Sequence, residues 1–193
     1  VQVTAVTPSL RGSGKGTIVA IAGERIRVIT AKHVAVFGRL SVKFESGSSV
    51  PARIVSLAAG RDVAVIEAIV PLSISRQLRA APIGAARAHE VVHVGGAGSQ
   101  AGASESASVT EVGGKMPDGP AKGRYKLACA RCHIGDSGAG VLDKKGDLVG
   151  IYVGYFTYDS GARVGVAETP GSMAPVADTA PSTESPVAGL VIP

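Results

Sequence analysis

Three short stretches of this chain carry residue types that together could perform acyl transfer. Gly135-Asp136-Ser137-Gly138 sets a serine between glycines. A tight turn of this kind exposes the hydroxyl and aims the backbone N–H groups of Gly135 and Ser137 into one concavity, where they could hold an oxyanion. Serine alone is a weak nucleophile and needs an adjacent base. Thr30-Ala31-Lys32-His33 closes an apolar–polar alternating stretch and places an imidazole at a strand end. A neutral imidazole can take up and return a proton near neutral pH. Arg61-Asp62-Val63-Ala64-Val65 puts a carboxylate at the start of an apolar strand. Partly buried there, Asp62 could accept the other ring N–H of His33, fix its tautomer and stabilise the imidazolium.

Singly, each motif has a plainer explanation. Gly-Asp-Ser-Gly is a common surface turn, a histidine at a strand end is more often structural, and an aspartate before a strand is usually a turn residue. Together, in the order His33, Asp62, Ser137, they supply base, orienting acid and nucleophile. The first two fall in one half of the chain and the third in the other.

The elements that must position them read as strands. Thr17–Ile21, Arg25–Thr30, Leu40–Phe44, Val50–Val55 and Asp62–Ile69 are short, rich in β-branched residues and separated by turn residues. A second set follows: Val91–Val94, Ser106–Val112, Tyr125–Ala128, Ser137–Leu142, Leu148–Tyr155 and Arg163–Glu168. Between them, Gly95 to Gly102 and Gly113 to Gly123 are expected as loops. The 193 residues are 45% hydrophobic and only 4% aromatic, with no Trp, so the core must be aliphatic. With 26 Gly and 11 Pro supplying turns, the fold class is all-β, a barrel or sandwich. Residues 1–75 form the first lobe with His33 and Asp62, 76–88 the connection, 89–168 the second lobe with Ser137, and 169–193 a Pro-rich tail or linker.

These pieces resemble the chymotrypsin-like serine proteases, and among them the processing proteases of arteriviruses and related positive-strand RNA viruses. The matching segments are Gly12-Ser13-Gly14, Val28 to Val34, Asp62 to Val65, Gly135 to Gly138, Asp147 to Gly154 and Val164 to Pro170. The resemblance implies two six-stranded antiparallel β-barrels with the active site in the cleft between them, a polypeptide substrate and no cofactor. It also implies that Val153, Gly154 and Tyr155 pair with substrate backbone as an edge strand. By position, Arg131, Cys132 and Tyr152 fall where the family builds its primary specificity pocket.

The chain departs from the family there. Viral relatives that cleave after Glu or Gln have Thr where Cys132 stands and His where Tyr152 stands, and digestive trypsins have Asp where Arg131 stands. None of those preferences transfers. Val34 replaces the disulfide-forming Cys of secreted members, and Val1-Gln2-Val3 does not match the freed terminus that pairs with the Asp before the nucleophile. These departures imply an intracellular, non-zymogen enzyme.

Other features carry less. Cys129 and Cys132, placed on a strand, would face opposite ways, so no bridge is expected between them and a reducing compartment follows. With His133 they have metal-like spacing, but no second pair completes a zinc site, and no metal is assigned. Gly12 to Thr17 lacks the spacing of a phosphate-binding loop. The net charge of +5 would allow an RNA partner, yet Lys and Arg are scattered and fit a solvated surface. No apolar run approaches the roughly 20 residues of a membrane span. Val1 to Thr4 lacks the signature of a signal peptide and an initiator Met, so the chain is expected to be part of something longer. The functional expectation is a serine endopeptidase processing a viral polyprotein. The alternatives are a bacterial trypsin-like protease, or a proteolytically silent binding module on the same fold.

Overall fold

The computed structural model describes residues 1–95, 104–113, 123–132, 135–157 and 163–170. The Pro-rich stretch 171–193, most of the two expected glycine loops, and His133 lie outside the described residues.

The first lobe contains β1 (Gln2–Val6), β2 (Arg11–Lys15), β3 (Thr17–Ala22), β4 (Arg25–Thr30), the single-turn helix α1 (Lys32–Ala35), β5 (Arg39–Lys43), β6 (Ser49–Leu57) and β7 (Ala64–Ile69). Its strands form one antiparallel sheet in the order β2-β1-β5-β6-β7-β4-β3. The sheet has seven strands rather than six because the run from Arg11 to Ala22 breaks at Gly16 into β2 and β3. These two halves of one bent run lie at opposite ends of the sheet, which therefore curls upon itself. A Cβ at Gly16 would come within 2.5 Å of Val28 Cγ1 and 3.0 Å of Val3 Cγ2, so the bend requires a residue without a side chain. Val3, Ala5, Ile26, Val28, Val42 and Ile66 fill the interior.

The second lobe contains β8 (Val91–Gly95), β9 (Ser104–Val112), β10 (Arg124–Ala128), β11 (Gly140–Leu142), β12 (Leu148–Thr157) and β13 (Arg163–Glu168). They close into a six-stranded barrel in the order β10-β13-β12-β11-β8-β9. Val92, Val94, Val109, Tyr125, Leu127, Val141 and Tyr152 pack inside it. The two-barrel, chymotrypsin-like architecture expected from the sequence is thus observed.

Between the lobes, α2 (Leu72–Ser75) opens the connection. The chain then runs along both barrels: Ala81 N–H donates to Ile18 O at 2.9 Å, and Leu148 N–H donates to Pro82 O at 2.7 Å. Ile29, Val63 and Val65 of the first lobe meet Leu148 and Ile151 of the second in a shared apolar cluster. This seam explains why the end of β4 is buried on both faces, where alternation alone would leave one face wet.

Three differences from the sequence reading have physical causes. The first fifteen residues, given no strand, form β1 and β2, because cross-strand pairing overrides the low strand preference of Gly12-Ser13-Gly14. His33 sits in α1, one turn past the strand end. Cys129 and Cys132 form a disulfide, contrary to expectation. β10 ends at Ala128 and the chain bends beyond it, so the two residues are not on a strand. Their Cα atoms are 5.5 Å apart, within bridging range.

Two stability measurements check this description. Gly16→Val should lower unfolding free energy by about 1–3 kcal/mol through overpacking against Val3 and Val28, read from urea titration. Replacing both cysteines with serine should cost about 2 kcal/mol, the closure entropy of so short a loop, and should abolish the effect of a reductant on the unfolding midpoint.

Candidate active site

His33 and Asp62 form the centre of the site. His33 follows β4 on α1, and Asp62 ends the 58–62 loop before β7, which pairs with β4. That pairing brings the two residues together. His33 Nδ1–H donates to Asp62 Oδ2 at 2.5 Å, and the His33 backbone N–H donates to Asp62 Oδ1 at 2.8 Å. Lys32 N–H donates to the Asp62 carbonyl at 3.2 Å. An ionised carboxylate only accepts, so the ring proton belongs on Nδ1, and Nε2 of the neutral ring is left as a base. The His33 side chain is 46% exposed and that of Asp62 27%, so the imidazole opens to solvent while its carboxylate partner is more sheltered.

Burial acts to raise the Asp62 pKa, but it is outweighed by the hydrogen bonds from the His33 ring and backbone, then by the charges of His33 and Arg124. The carboxyl is held below its ordinary value of 3.8.

Ser137 arrives from the second lobe. Its carbonyl accepts the Lys15 N–H at 2.8 Å, joining it to the last residue of β2. Lys15 O in turn accepts Thr30 Oγ1–H at 2.6 Å, two residues before α1 begins. Glycines make this approach possible. A Cβ at Gly14 would lie 2.5 Å from Ser137 O and 2.7 Å from Val34 Cγ2. A Cβ at Gly138 would collide with Lys15 O and Thr30 Oγ1, and its φ of +89° is one that glycine tolerates best.

The Ser137 hydroxyl donates to the Val153 carbonyl at 3.4 Å. Among the described residues no hydrogen bond links it to His33, and none is donated by the N–H groups of Gly135 or Ser137. Asp136 is fully buried, and its carbonyl accepts the Ala139 N–H at 2.8 Å.

The remaining candidates are distributed as follows. Val153, Gly154 and Tyr155 lie on β12 beyond its pairing with β11, which ends at Ile151. β12 stays paired with β13 on its other side through Thr157, with a bulge between Tyr152 and Gly154. Arg131 is exposed. Cys132 is buried with its sulfur in the disulfide, so neither cysteine is a free thiolate for a metal. Tyr152 is wholly buried in the second barrel, its ring passing over Gly165.

Sequence reasoning missed Arg61, Arg124 and Glu168, which meet beside Asp62. Glu168 is fully buried and accepts from Arg61 Nε at 3.0 Å and Arg124 Nε at 2.7 Å. The only available signal was Arg61 preceding Asp62.

The depressed Asp62 pKa predicts a pH dependence. A carboxyl with a folded value below its unfolded one contributes stability above the unfolded value of 3.8, and loses it as pH falls through the folded value. The stability advantage of the parent over Asp62→Asn should therefore be constant near neutrality and shrink as pH drops below 3.8, read by urea unfolding across pH.

Comparison with known proteins completes the picture. A family model described as trypsin-like peptidase domain matches residues 14–151. No curated protein sequence matches the chain. Among solved structures, the serine endoprotease from Yersinia pestis superposes with a TM-score of 0.67 at 19% identity, covering 89% of this chain and 58% of that one. The HtrA-type protease AlgW with tripeptide gives 0.70 at 20% identity, covering 90% and 56%. AlgW with decapeptide gives 0.67 at 19%, covering 87% and 59%. The chain thus spans under two thirds of the length of these structures, and at such identity the likeness is one of fold. The family model covers most of the chain, including the segments of His33, Asp62 and Ser137, and the chain therefore belongs to the trypsin-like peptidase domain family.

Proposed function

We propose that the chain hydrolyses peptide bonds through an acyl-enzyme, with Ser137 as nucleophile, His33 as general base and acid, and Asp62 orienting His33. The observation that carries this reading is the 2.5 Å His33–Asp62 hydrogen bond beside the docked Ser137 backbone. In the proposed cycle Ser137 Oγ leaves Val153 and turns to His33. As Oγ bonds to the substrate carbonyl carbon, its proton passes to Nε2. The oxyanion is held by the N–H groups of Gly135 and Ser137. Collapse breaks the C–N bond and His33 protonates the departing amine. Water then attacks the acyl-enzyme with His33 again as base, releasing the carboxylic acid and restoring Ser137. The stretch Val153–Tyr155 of β12, which runs on beyond the pairing with β11, supports docking of substrate backbone as an added strand.

Two biological settings follow. A bacterial trypsin-like protease is the better supported, because the similar solved structures include the Yersinia pestis endoprotease and HtrA-type proteases. The Cys129–Cys132 bridge also suits an oxidising compartment. A polyprotein-processing protease acting inside a host cell rests on the motif resemblance alone. Nothing in the described residues favours RNA as a partner.

A fluorophosphonate probe tests the chemistry. The intact chain should label, Ser137→Ala should abolish labelling, and His33→Ala should slow it by about 10²–10⁴-fold. Undiminished labelling of Ser137→Ala, or none of the intact chain, would overturn the triad and favour a silent binding module.

A further inference from the structure

Glu168 occupies a setting that barrel packing does not require. It ends β13 with a side chain wholly out of contact with solvent. A buried carboxylate is expensive to desolvate, and apolar residues of similar volume stabilise a seam as well or better. Its partners suggest what it does. Oε2 accepts Arg61 Nε at 3.0 Å. Oε1 accepts Arg124 Nε at 2.7 Å and lies 3.5 Å from the backbone nitrogen of Asp62. Arg61 is further fastened to Thr169, donating from Nη2 to its carbonyl and, at 3.1 Å, to its hydroxyl. The guanidinium passes over Gly123, where a Cβ would stand 3.4 Å from its Cζ and Nε. One carboxylate of the second lobe thus grips two consecutive residues of the first, and the second of them is Asp62.

Asp62 needs such a grip. Both of its carboxylate oxygens are committed to His33, and among the described residues its backbone is held by the Lys32 N–H to its carbonyl and by the Glu168 contact. A displacement of about 1 Å in a catalytic constellation can cost on the order of 10²-fold in rate.

We infer that Glu168 is a positioning residue, which clamps Arg61 and the Asp62 backbone from the opposite barrel and so aims the Asp62 carboxylate at His33. Its catalytic consequence rests on the triad reading above, whereas its structural part does not.

The same molecule holds a control. Glu67 is 5% exposed and is paired with Arg53 at 2.7 Å, Arg27 at 3.6 Å and Arg25 at 3.8 Å. It is a comparably buried carboxylate among arginines that makes no contact with Asp62.

The experiment compares the parent, Glu168→Gln and Glu67→Gln by proton NMR and by peptide cleavage. The NMR signal is the deshielded Nδ1 proton shared by His33 and Asp62, assigned by its disappearance in Asp62→Asn. Glu168→Gln should lose or broaden this signal and lower kcat by about 10- to 100-fold with KM within about twofold. Glu67→Gln should melt earlier yet keep both signal and kcat. If Glu168→Gln keeps the signal and kcat and changes only the melting temperature, the positioning role is overturned, as it is if Glu67→Gln loses as much. Should Glu168→Gln not fold, Arg61→Lys, which keeps the charge but not the guanidinium fork, takes its place with the same expectations. A signal that vanishes in Glu168→Gln while no form cleaves peptide or labels at Ser137 would retain the clamp and remove the triad. Normal catalysis in Glu168→Gln would do the reverse.

Discussion

The hydrogen bond from the Lys15 N–H to the Ser137 carbonyl is the constraint on which the arrangement of the site depends. It joins backbone to backbone across two barrels, so it fixes the position of the Ser137 main chain rather than of a side chain that could swing away. β2 lies at the end of its sheet, and its outer edge would otherwise present unpaired backbone groups. Here that edge is used to seat the Ser137 turn. The Lys15 carbonyl is bound by Thr30, which leads through Ala31 into α1 and His33. Three segments far apart in sequence thus converge through two hydrogen bonds, and Gly14 and Gly138 are the residues whose missing side chains allow it.

The candidate site was legible in the sequence to the extent that its motifs are local. Ser137 between glycines, His33 after an alternating strand and Asp62 before an apolar one each show a polar residue placed where the pattern would not demand it. The all-β class was legible for the same reason, since β3, β4 and β7 are β-branched and bounded by turn residues. What was not legible is what depends on partners. Gly12-Ser13-Gly14 has almost no strand character of its own and becomes β2 only because β1 pairs with it. Cys129 and Cys132 were misjudged because β10 stops at Ala128, before either of them, and the chain bends there. Glu168 reads as an ordinary polar residue closing a strand. Its burial follows from Arg61 and Arg124, which reach it from a loop of the other barrel and from β10.

The charged groups around Asp62 divide the work. Asp62 itself is only partly sheltered, and the His33 hydrogen bonds are what keep it ionised. Glu168 is fully buried and is compensated by two guanidinium groups, one of which also lowers the Asp62 pKa across space. On the proposed mechanism, an orienting acid that must stay charged during proton transfer is better served by fixed arginines than by water, because their orientation need not change in the step.

On the proposed mechanism, the bulge in β12 ties substrate docking to the state of the nucleophile. The bulge leaves Val153 outside the regular pairing with β13 and turns its carbonyl toward Ser137, whose hydroxyl it accepts at a long 3.4 Å. So long a bond costs little to break. A substrate strand laid along Val153–Tyr155 would bring its own N–H groups to this edge and compete for that carbonyl. The hydroxyl released from Val153 would then have the Nε2 of His33 as its best remaining acceptor. Binding of the peptide backbone and arming of the nucleophile would in this way be one event, in which the chain of the substrate, rather than its side chains, supplies the trigger.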